Sequence, residues 1–192
     1  SRRLCVSGVK IGPAMAAGCT VVVKAAEVAP APLLGLAELV HEAGFPAGVI
    51  NVITGFAEGC GTVLTQHAQV DHIAFTGGAD TARHIIRNSA ENLASTSLEL
   101  GGKSPFIVFA DADLESAANA QVAAIFSASG QSCVAGSRLL VEEQIKDAFI
   151  EKLTTKVRGI IIGCPQQHET QFGPLCTERQ KSNIEQVVSR SI

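Results

Sequence analysis

Short runs of β-branched residues alternate along the chain with longer segments whose apolar residues recur every three or four positions. The short runs predict strands and the longer segments predict helices, because side chains repeat every second residue in a strand and about every 3.6 residues in a helix. The predicted strands lie at residues 20–24, 49–53, 70–75, 97–100, 106–109, 138–141 and 159–162. The predicted helices lie at about residues 30–44, 58–66, 80–88, 111–127 and 143–158. This alternation is typical of an α/β fold with a mostly parallel sheet covered on both faces.

Composition narrows the class of protein. Hydrophobic residues make up 46% and charged residues 17% of the 192 residues, which excludes a disordered chain. The 15 basic and 18 acidic residues provide no basic field, and all eight aromatic residues are Phe. We therefore expect no nucleic-acid partner. No apolar run approaches the roughly 18 residues that a membrane span needs, so we expect no membrane partner either.

The cysteines form no recognisable pair or cluster. No C-x-x-C spacing occurs, so the sequence predicts neither a disulfide scaffold nor a metal site, and a reducing, cytoplasmic setting is favoured. The ordinary role for most of them is a small, buried apolar side chain. The six are Cys5, Cys19, Cys60, Cys133, Cys164 and Cys176.

Glycines follow two of the predicted strands where helices begin. Gly77 and Gly78 come directly after the strand that ends with Phe75 and Thr76, and Gly55 with Gly59 repeats the arrangement earlier in the chain. Glycines there let backbone N–H groups approach a phosphate. The partial positive charge at the start of a helix attracts the same phosphate. For either turn alone, an ordinary glycine turn is the favoured interpretation.

A charged pair follows the first predicted strand. Lys24 and Glu27 lie where a parallel strand ends, which is where ligand crevices form in such sheets. The carboxylate could accept both hydroxyls of a ribose and would repel a 2′-phosphate. A solvated ion pair worth less than about 1 kcal/mol is at least as good an interpretation of these two residues alone.

Cys133 stands in a loop-like stretch of small and polar residues, where a thiol can be reached. A thiolate is a strong nucleophile, so the loop is a candidate catalytic site. Taken alone, this motif does not outweigh a buried, inert cysteine.

Together these segments resemble the aldehyde dehydrogenase superfamily over about residues 9–192. Glu99 is followed 34 residues later by Cys133 in a G-Q-x-C setting, as that family's pattern expects. The combination is far more specific than any of its parts. The segments that carry the resemblance are GPAMAAGCTVVVKAAE at 12–27, EAGFPAGVINV at 42–52, FTGG at 75–78, LELGGKSP at 98–105 and GQSCVAGSR at 130–138.

The resemblance implies a Rossmann-type parallel-sheet cofactor domain at residues 1–101 and part of an α/β catalytic domain at 102–192. It implies that Cys133 is the nucleophile that attacks an aldehyde, and that Glu99 is the general base that activates water. Lys10 matches a family lysine near the active site. The Asn that supplies an oxyanion donor in the family, beside the N–H of the nucleophile, would fall at Ser1 or just before it.

The same resemblance implies a nicotinamide cofactor. Lys24 and Glu27 would hold its adenosine ribose, which favours NAD over NADP, and Gly78 with the following helix would lie by the pyrophosphate. The other residues implied to border the cofactor are Gly55, Gly59, Gly77, Leu100 and Gly101.

Members of that family run to several hundred residues, so the resemblance implies part of a longer protein. That protein is expected to be a cytoplasmic homo-oligomer, a dimer or tetramer, acting on a small aldehyde that these residues do not identify. Three alternatives remain open: a nucleotide-binding remnant without turnover, a relative that passes the acyl group to coenzyme A, and a cysteine hydrolase. The Glu99 and Cys133 pair weighs against the first, Glu99 favours water over coenzyme A, and no histidine lies in a partner motif for the third.

Overall fold

The structure, a computed structural model, describes the backbone of residues 2–191 and the side chains of residues 6–191. Ser1, the position nearest to the family's second oxyanion donor, and the side chain of Cys5 lie outside the described residues. The chain forms two compact units, of which the first ends at Leu100 and the second begins at Gly101.

The first unit contains two pairs of parallel strands. Strand β1 (Val21–Lys24) pairs with β2 (Ile50–Ile53), and β3 (His72–Thr76) pairs with β4 (Ser95–Glu99). In both pairs the two strands end at paired residues, so the residues that follow them lie together at the carboxyl end of that pair. The helices of this unit are α1 (Arg2–Ala16), α2 (Ala31–Glu42), α3 (Thr62–Gln66) and α4 (Ala79–Ser89), with a π-helical turn at Ala57–Gly61.

The second unit is built on a third parallel pair, β5 (Pro105–Val108) and β6 (Arg138–Val141). One face of this pair packs on two helices around Val108, Ala118 and Phe149, each at most 2% exposed. The helices are α5 (Leu114–Phe126), α6 (Lys146–Arg158) and α7 (Glu178–Ser191), and short 3₁₀ turns occupy Ser127–Gly130 and Glu143–Ile145.

Local signals in the sequence account for the helix ends. The Asp113 side chain accepts the N–H of Ser116 at 2.8 Å and so caps α5. Hydrogen bonding by the side chain of Ser116, together with that by its backbone N–H, holds the pKa of the Asp113 carboxyl below its usual value. Gly44 has a φ of +78° just beyond the end of α2, a conformation that a side chain disfavours. The predicted α/β class with parallel strands is confirmed.

The strands of the described residues do not join into one continuous sheet. The six strands there form three separate two-stranded ladders, so every strand is an edge strand. Val22, Ile107 and Leu140 are consequently about half exposed.

Three further segments differ from the sequence-based expectation. The predicted strand at 159–162 is wrong, since only an isolated bridge joins Ile162 to Phe172. The side chain of Gln171 accepts the N–H of Ile161 there, so a loop hydrogen bond replaces a strand ladder. Helices α1 and α7 were not predicted. Pro13 and two glycines obscure the pattern in the former, and the latter is largely polar with no buried residue.

Candidate active site

The ends of β1 and β2 bring the charged pair together. Lys24 is the last residue of β1 and donates from Nζ to Glu27 Oε1 at 2.7 Å and to the Ala25 carbonyl at 3.1 Å. The hydrogen bond from Lys24 holds the pKa of the Glu27 carboxyl below its usual value, which keeps this side chain a carboxylate near neutral pH. The Lys24 side chain is 19% exposed and the Glu27 side chain 38%, so the ammonium is sheltered while the carboxylate stays open to solvent.

The glycines after β2 lie beside this pair. A Cβ atom on Gly55 would lie 2.8 Å from the Cβ of Cys60, so a side chain at Gly55 would displace the π-helical turn. A Cβ on Gly61 would lie 3.8 Å from Cδ of Lys24, which shows that this turn packs along the lysine stem. Gly59 has open space around it, so its lack of a side chain is not sterically required.

The ends of β3 and β4 bring together the second glycine turn and the candidate base. Thr76 pairs with Glu99, and the N–H of Gly77 donates to the Glu99 carbonyl at 3.0 Å. Gly78 is the residue that precedes α4, and its backbone is extended. Gly77, Gly78, Glu99 and Leu100 therefore lie at one edge, with the start of a helix beside them.

Lys10 shares the electrostatic environment of Glu99. Its Nζ is buried and has no hydrogen-bond partner among the described residues. Burial lowers the pKa of the Lys10 ammonium, and the nearby charge of Glu99 opposes that shift. Helix α1, which carries Lys10, was not predicted, so this neighbourhood could be reached only through the family resemblance.

Cys133 lies in the second unit, in a turn that exposes its thiol. The N–H of Ala135 donates to the Ser132 carbonyl at 3.3 Å, which closes the turn around Cys133 and Val134. Three consecutive left-handed residues precede this turn: Ala128, Ser129 and Gly130 have φ angles of 53°, 54° and 71°. Such conformations are costly for residues other than glycine and are found at functional sites.

Gly102 contacts the candidate nucleophile directly. A Cβ atom on Gly102 would lie 2.7 Å from the carbonyl oxygen of Cys133, closer than real Cβ contacts. Only glycine fits at this position without moving the Cys133 backbone. From the sequence, Gly102 is only the first residue of the implied catalytic domain, because no local pattern shows which distant segment packs against it.

Exposure of the thiol does not distinguish Cys133 from other cysteines. Of the five cysteines with described side chains, Cys19, Cys133, Cys164 and Cys176 are exposed and Cys60 is half-buried. The expectation that most of them are buried is therefore wrong, because the loops that carry them are not covered by other described residues. A chemical test of Cys133 has to compare rates among exposed thiols.

The described residues offer few other features for chemistry. A cavity of about 630 Å³ lies at the amino ends of β1 and β2, between the end of α1 and Phe45, away from the edge that carries the charged pair. Within residues 2–191 no cluster of three or more His, Cys, Asp or Glu is placed to hold a metal ion. Over the same span, every helix is too short or too polar to cross a lipid bilayer.

Comparison with known proteins places these residues in a family context. The model of the aldehyde dehydrogenase family matches residues 3–192. The chain is 66% identical over 190 residues to (Z)-2-((N-methylformamido)methylene)-5-hydroxybutyrolactone dehydrogenase of Acinetobacter baylyi, covering 99% of this chain and 39% of that one. It is 42% identical over 183 residues to an NADP(+) succinate-semialdehyde dehydrogenase of Escherichia coli, covering 95% and 38%.

The fold of the chain is also similar to that of a solved aldehyde dehydrogenase structure. Betaine aldehyde dehydrogenase of Staphylococcus aureus, in complex with NAD+, matches with a TM-score of 0.87 and 40% identity, over 94% of this chain and 36% of that one. The chain spans between 35% and 39% of the length of the curated relatives that it matches.

Proposed function

Since the chain belongs to the aldehyde dehydrogenase family, we propose that the polypeptide carrying it oxidises an aldehyde to a carboxylic acid with NAD. The observation that carries this proposal is the turn around Cys133, which exposes a thiol within the segment that resembles the nucleophile loop of the family. Because the relatives are longer, activity is assigned to the complete polypeptide in which these 192 residues occur, called below the full polypeptide.

The proposed chemistry uses two side chains of this chain. The Cys133 thiolate attacks the aldehyde carbonyl carbon, and the oxygen becomes an anion near the Cys133 backbone N–H. NAD, held by Lys24 and Glu27, would supply the hydride acceptor, and loss of the hydride from this carbon would leave a thioester on Cys133. Glu99 then takes a proton from water as the water oxygen attacks the thioester. The C–S bond breaks, which releases the acid and restores the Cys133 thiolate.

Observations at the carboxyl ends of both strand pairs of the first unit, β1–β2 and β3–β4, support a dinucleotide site. The Lys24–Glu27 pair offers a fixed carboxylate and an ammonium at the carboxyl ends of parallel strands, where nucleotide ribose binds in such folds. We assign the backbone around Gly55, Gly59, Gly77, Gly78, Leu100 and Gly101 to the cofactor border. A Cβ on Gly77 would lie 2.4 Å from Cζ of Phe75, so a side chain there would displace the Phe75 ring.

We expect the full polypeptide to bind NAD more tightly than NADP, because the Glu27 carboxylate repels a 2′-phosphate. Glu27→Gln keeps the shape and removes the charge, so it should narrow the ratio of the two Kd values about tenfold. Fluorescence titration with each cofactor measures both constants. Glu38→Gln, an exposed carboxylate on α2, serves as the control. Tighter binding of NADP by the unmodified protein would refute the assignment.

Gly102→Ala is expected to lower kcat by about 10- to 100-fold, because the new methyl group must push the Cys133 carbonyl out of place. The same substitution at Gly35, where a Cβ meets nothing within 4 Å, is the matched control. Steady-state kinetics with thermal melts measure both variants. Normal kcat for Gly102→Ala would show that the position of the Cys133 backbone does not matter for turnover.

The substrate class can be narrowed by chemistry. The Acinetobacter relative is named for a 5-hydroxybutyrolactone, and the Escherichia coli relative for succinate semialdehyde. An unsubstituted 5-hydroxybutyrolactone is the cyclic form of succinic semialdehyde, so both names point to aldehydes that carry a carboxylate three carbons away. We propose a substrate of this 4-oxo-acid class for the full polypeptide.

The direct test of the function is formation of reduced cofactor from NAD and succinic semialdehyde, with propionaldehyde and benzaldehyde as comparison aldehydes. We expect turnover with the semialdehyde and no requirement for coenzyme A, because the water that Glu99 activates is the acyl acceptor. A strict requirement for coenzyme A would favour the acyl-transfer alternative. Cofactor binding without reduction by any of the three aldehydes would favour the remnant alternative.

Two broader assignments concern the cellular compartment and the oligomeric state. A cytoplasmic setting is proposed, because a nucleophilic cysteine and several exposed thiols work best in a reducing compartment. A homo-oligomer is proposed for the full polypeptide, and sedimentation velocity measures its mass.

A further inference from the structure

Gln121 is a polar residue inside the second unit to which the proposed chemistry gives no role. It lies near the middle of α5 and is only 5% exposed. Its Nε2 donates to the carbonyl oxygen of Gly136 at 3.0 Å. Its Oε1 is buried and has no hydrogen-bond partner among the described residues.

Gly136 follows Cys133 by three residues and approaches both neighbouring elements closely. A Cβ atom on Gly136 would lie 2.9 Å from the Cβ of Phe106 on β5 and 3.5 Å from Oε1 of Gln121. The backbone of Gly136 therefore passes between β5 and α5 without room for a side chain. This close approach allows the Gln121 amide to reach the Gly136 carbonyl.

The hydrogen bond to Gly136 anchors the exit of the turn that presents Cys133. The turn is closed by the N–H of Ala135 donating to the Ser132 carbonyl at 3.3 Å, and Ala135 is itself buried. On the entry side, the left-handed residues at 128–130 connect the turn to the end of α5. The same helix thus holds both ends of the segment that contains the nucleophile.

Packing alone does not account for an amide at this place. A methionine has nearly the same length and would fill the space without burying an unpartnered Oε1, which costs stability. What the amide adds is the hydrogen bond to the carbonyl of the buried Gly136. We infer that Gln121 is a positioning residue, whose hydrogen bond to Gly136 sets the backbone from which Cys133 projects. This inference rests on the proposed role of Cys133 as the nucleophile.

Gln121→Met in the full polypeptide tests the inference. The variant keeps the length and burial of the side chain but cannot donate to Gly136. We expect kcat to fall about tenfold, with KM for NAD unchanged. Tm should change little, because removal of the unpartnered Oε1 offsets the loss of the hydrogen bond to the Gly136 carbonyl. The pH profile of Cys133 alkylation by iodoacetamide should also change. Asn119→Met, which replaces an exposed amide on the same helix, should alter none of these.

The possible failures can be told apart. A lower Tm together with unchanged kcat per folded molecule and an unchanged alkylation profile would show a purely structural role and overturn the inference. Gln121→Leu, a smaller apolar replacement, gives a second test that separates a positioning role from a purely structural one. Alkylation of Cys133 does not depend on aldehyde oxidation. If the protein oxidises no aldehyde but Gln121→Met still changes that profile, the proposed function fails while Gln121 keeps its positioning role.

Discussion

Replacing Cys133 with serine should lower kcat of the full polypeptide by about 10³-fold or more. A serine hydroxyl loses its proton far less readily than a thiol, so it is a much weaker nucleophile near neutral pH. Cys133→Ala should have the same effect on kcat. Both variants should bind NAD as the unmodified protein does, because Cys133 is not assigned to the cofactor border.

The control for this variant is Cys164→Ser, which changes another exposed thiol in the second unit and should leave kcat unchanged. Limiting iodoacetamide with peptide mapping gives a second measurement. Cys133 should react fastest among the exposed cysteines, and bound NAD should alter its rate and not that of Cys164. Full turnover by Cys133→Ser would contradict the nucleophile assignment.

Glu99→Gln should lower steady-state kcat by about 10²- to 10⁴-fold while preserving the first turnover. An amide cannot take a proton from water, so the thioester on Cys133 should form and then persist. Rapid-mixing kinetics should show a burst of reduced cofactor that approaches one equivalent per active site, followed by very slow turnover.

A matched variant separates the loss of the base from a general loss of charge. Glu91→Gln removes an exposed carboxylate from the same unit, between α4 and β4, and should leave both phases unchanged. Absence of any burst in Glu99→Gln would mean that Glu99 acts before the thioester forms. Unchanged steady-state turnover would exclude Glu99 as the base.

Local patterns were sufficient to predict most of the elements. The β-branched runs of β1 and β2 and the acidic start of α5 carry signals that depend only on nearby residues. How the strands join could not be predicted, because ladder formation depends on which segments are present to pair with each edge. The π-helical turn at Ala57–Gly61 was likewise predicted only as the start of a helix, since no local pattern separates the two.

The contacts of the candidate site likewise include local ones that could be predicted and long-range ones that could not. The Lys24–Glu27 contact involves residues three positions apart and was predicted, although the shelter of the Lys24 side chain was not. The contact of Gly102 with Cys133 and that of Gln121 with Gly136 join segments 31 and 15 residues apart. Such contacts arise from packing of β5, β6 and α5, and neither residue type marks its role in the sequence.

The central claim is that Cys133 carries the acyl group during turnover. Glu99→Gln should be mixed with NAD and succinic semialdehyde, quenched in acid, digested and analysed by mass spectrometry. The peptide that contains Cys133 should gain the mass of the acyl group in an amount equal to the burst, and only when NAD is present. A full burst with that peptide unmodified, or with the acyl group on another cysteine, would contradict the account.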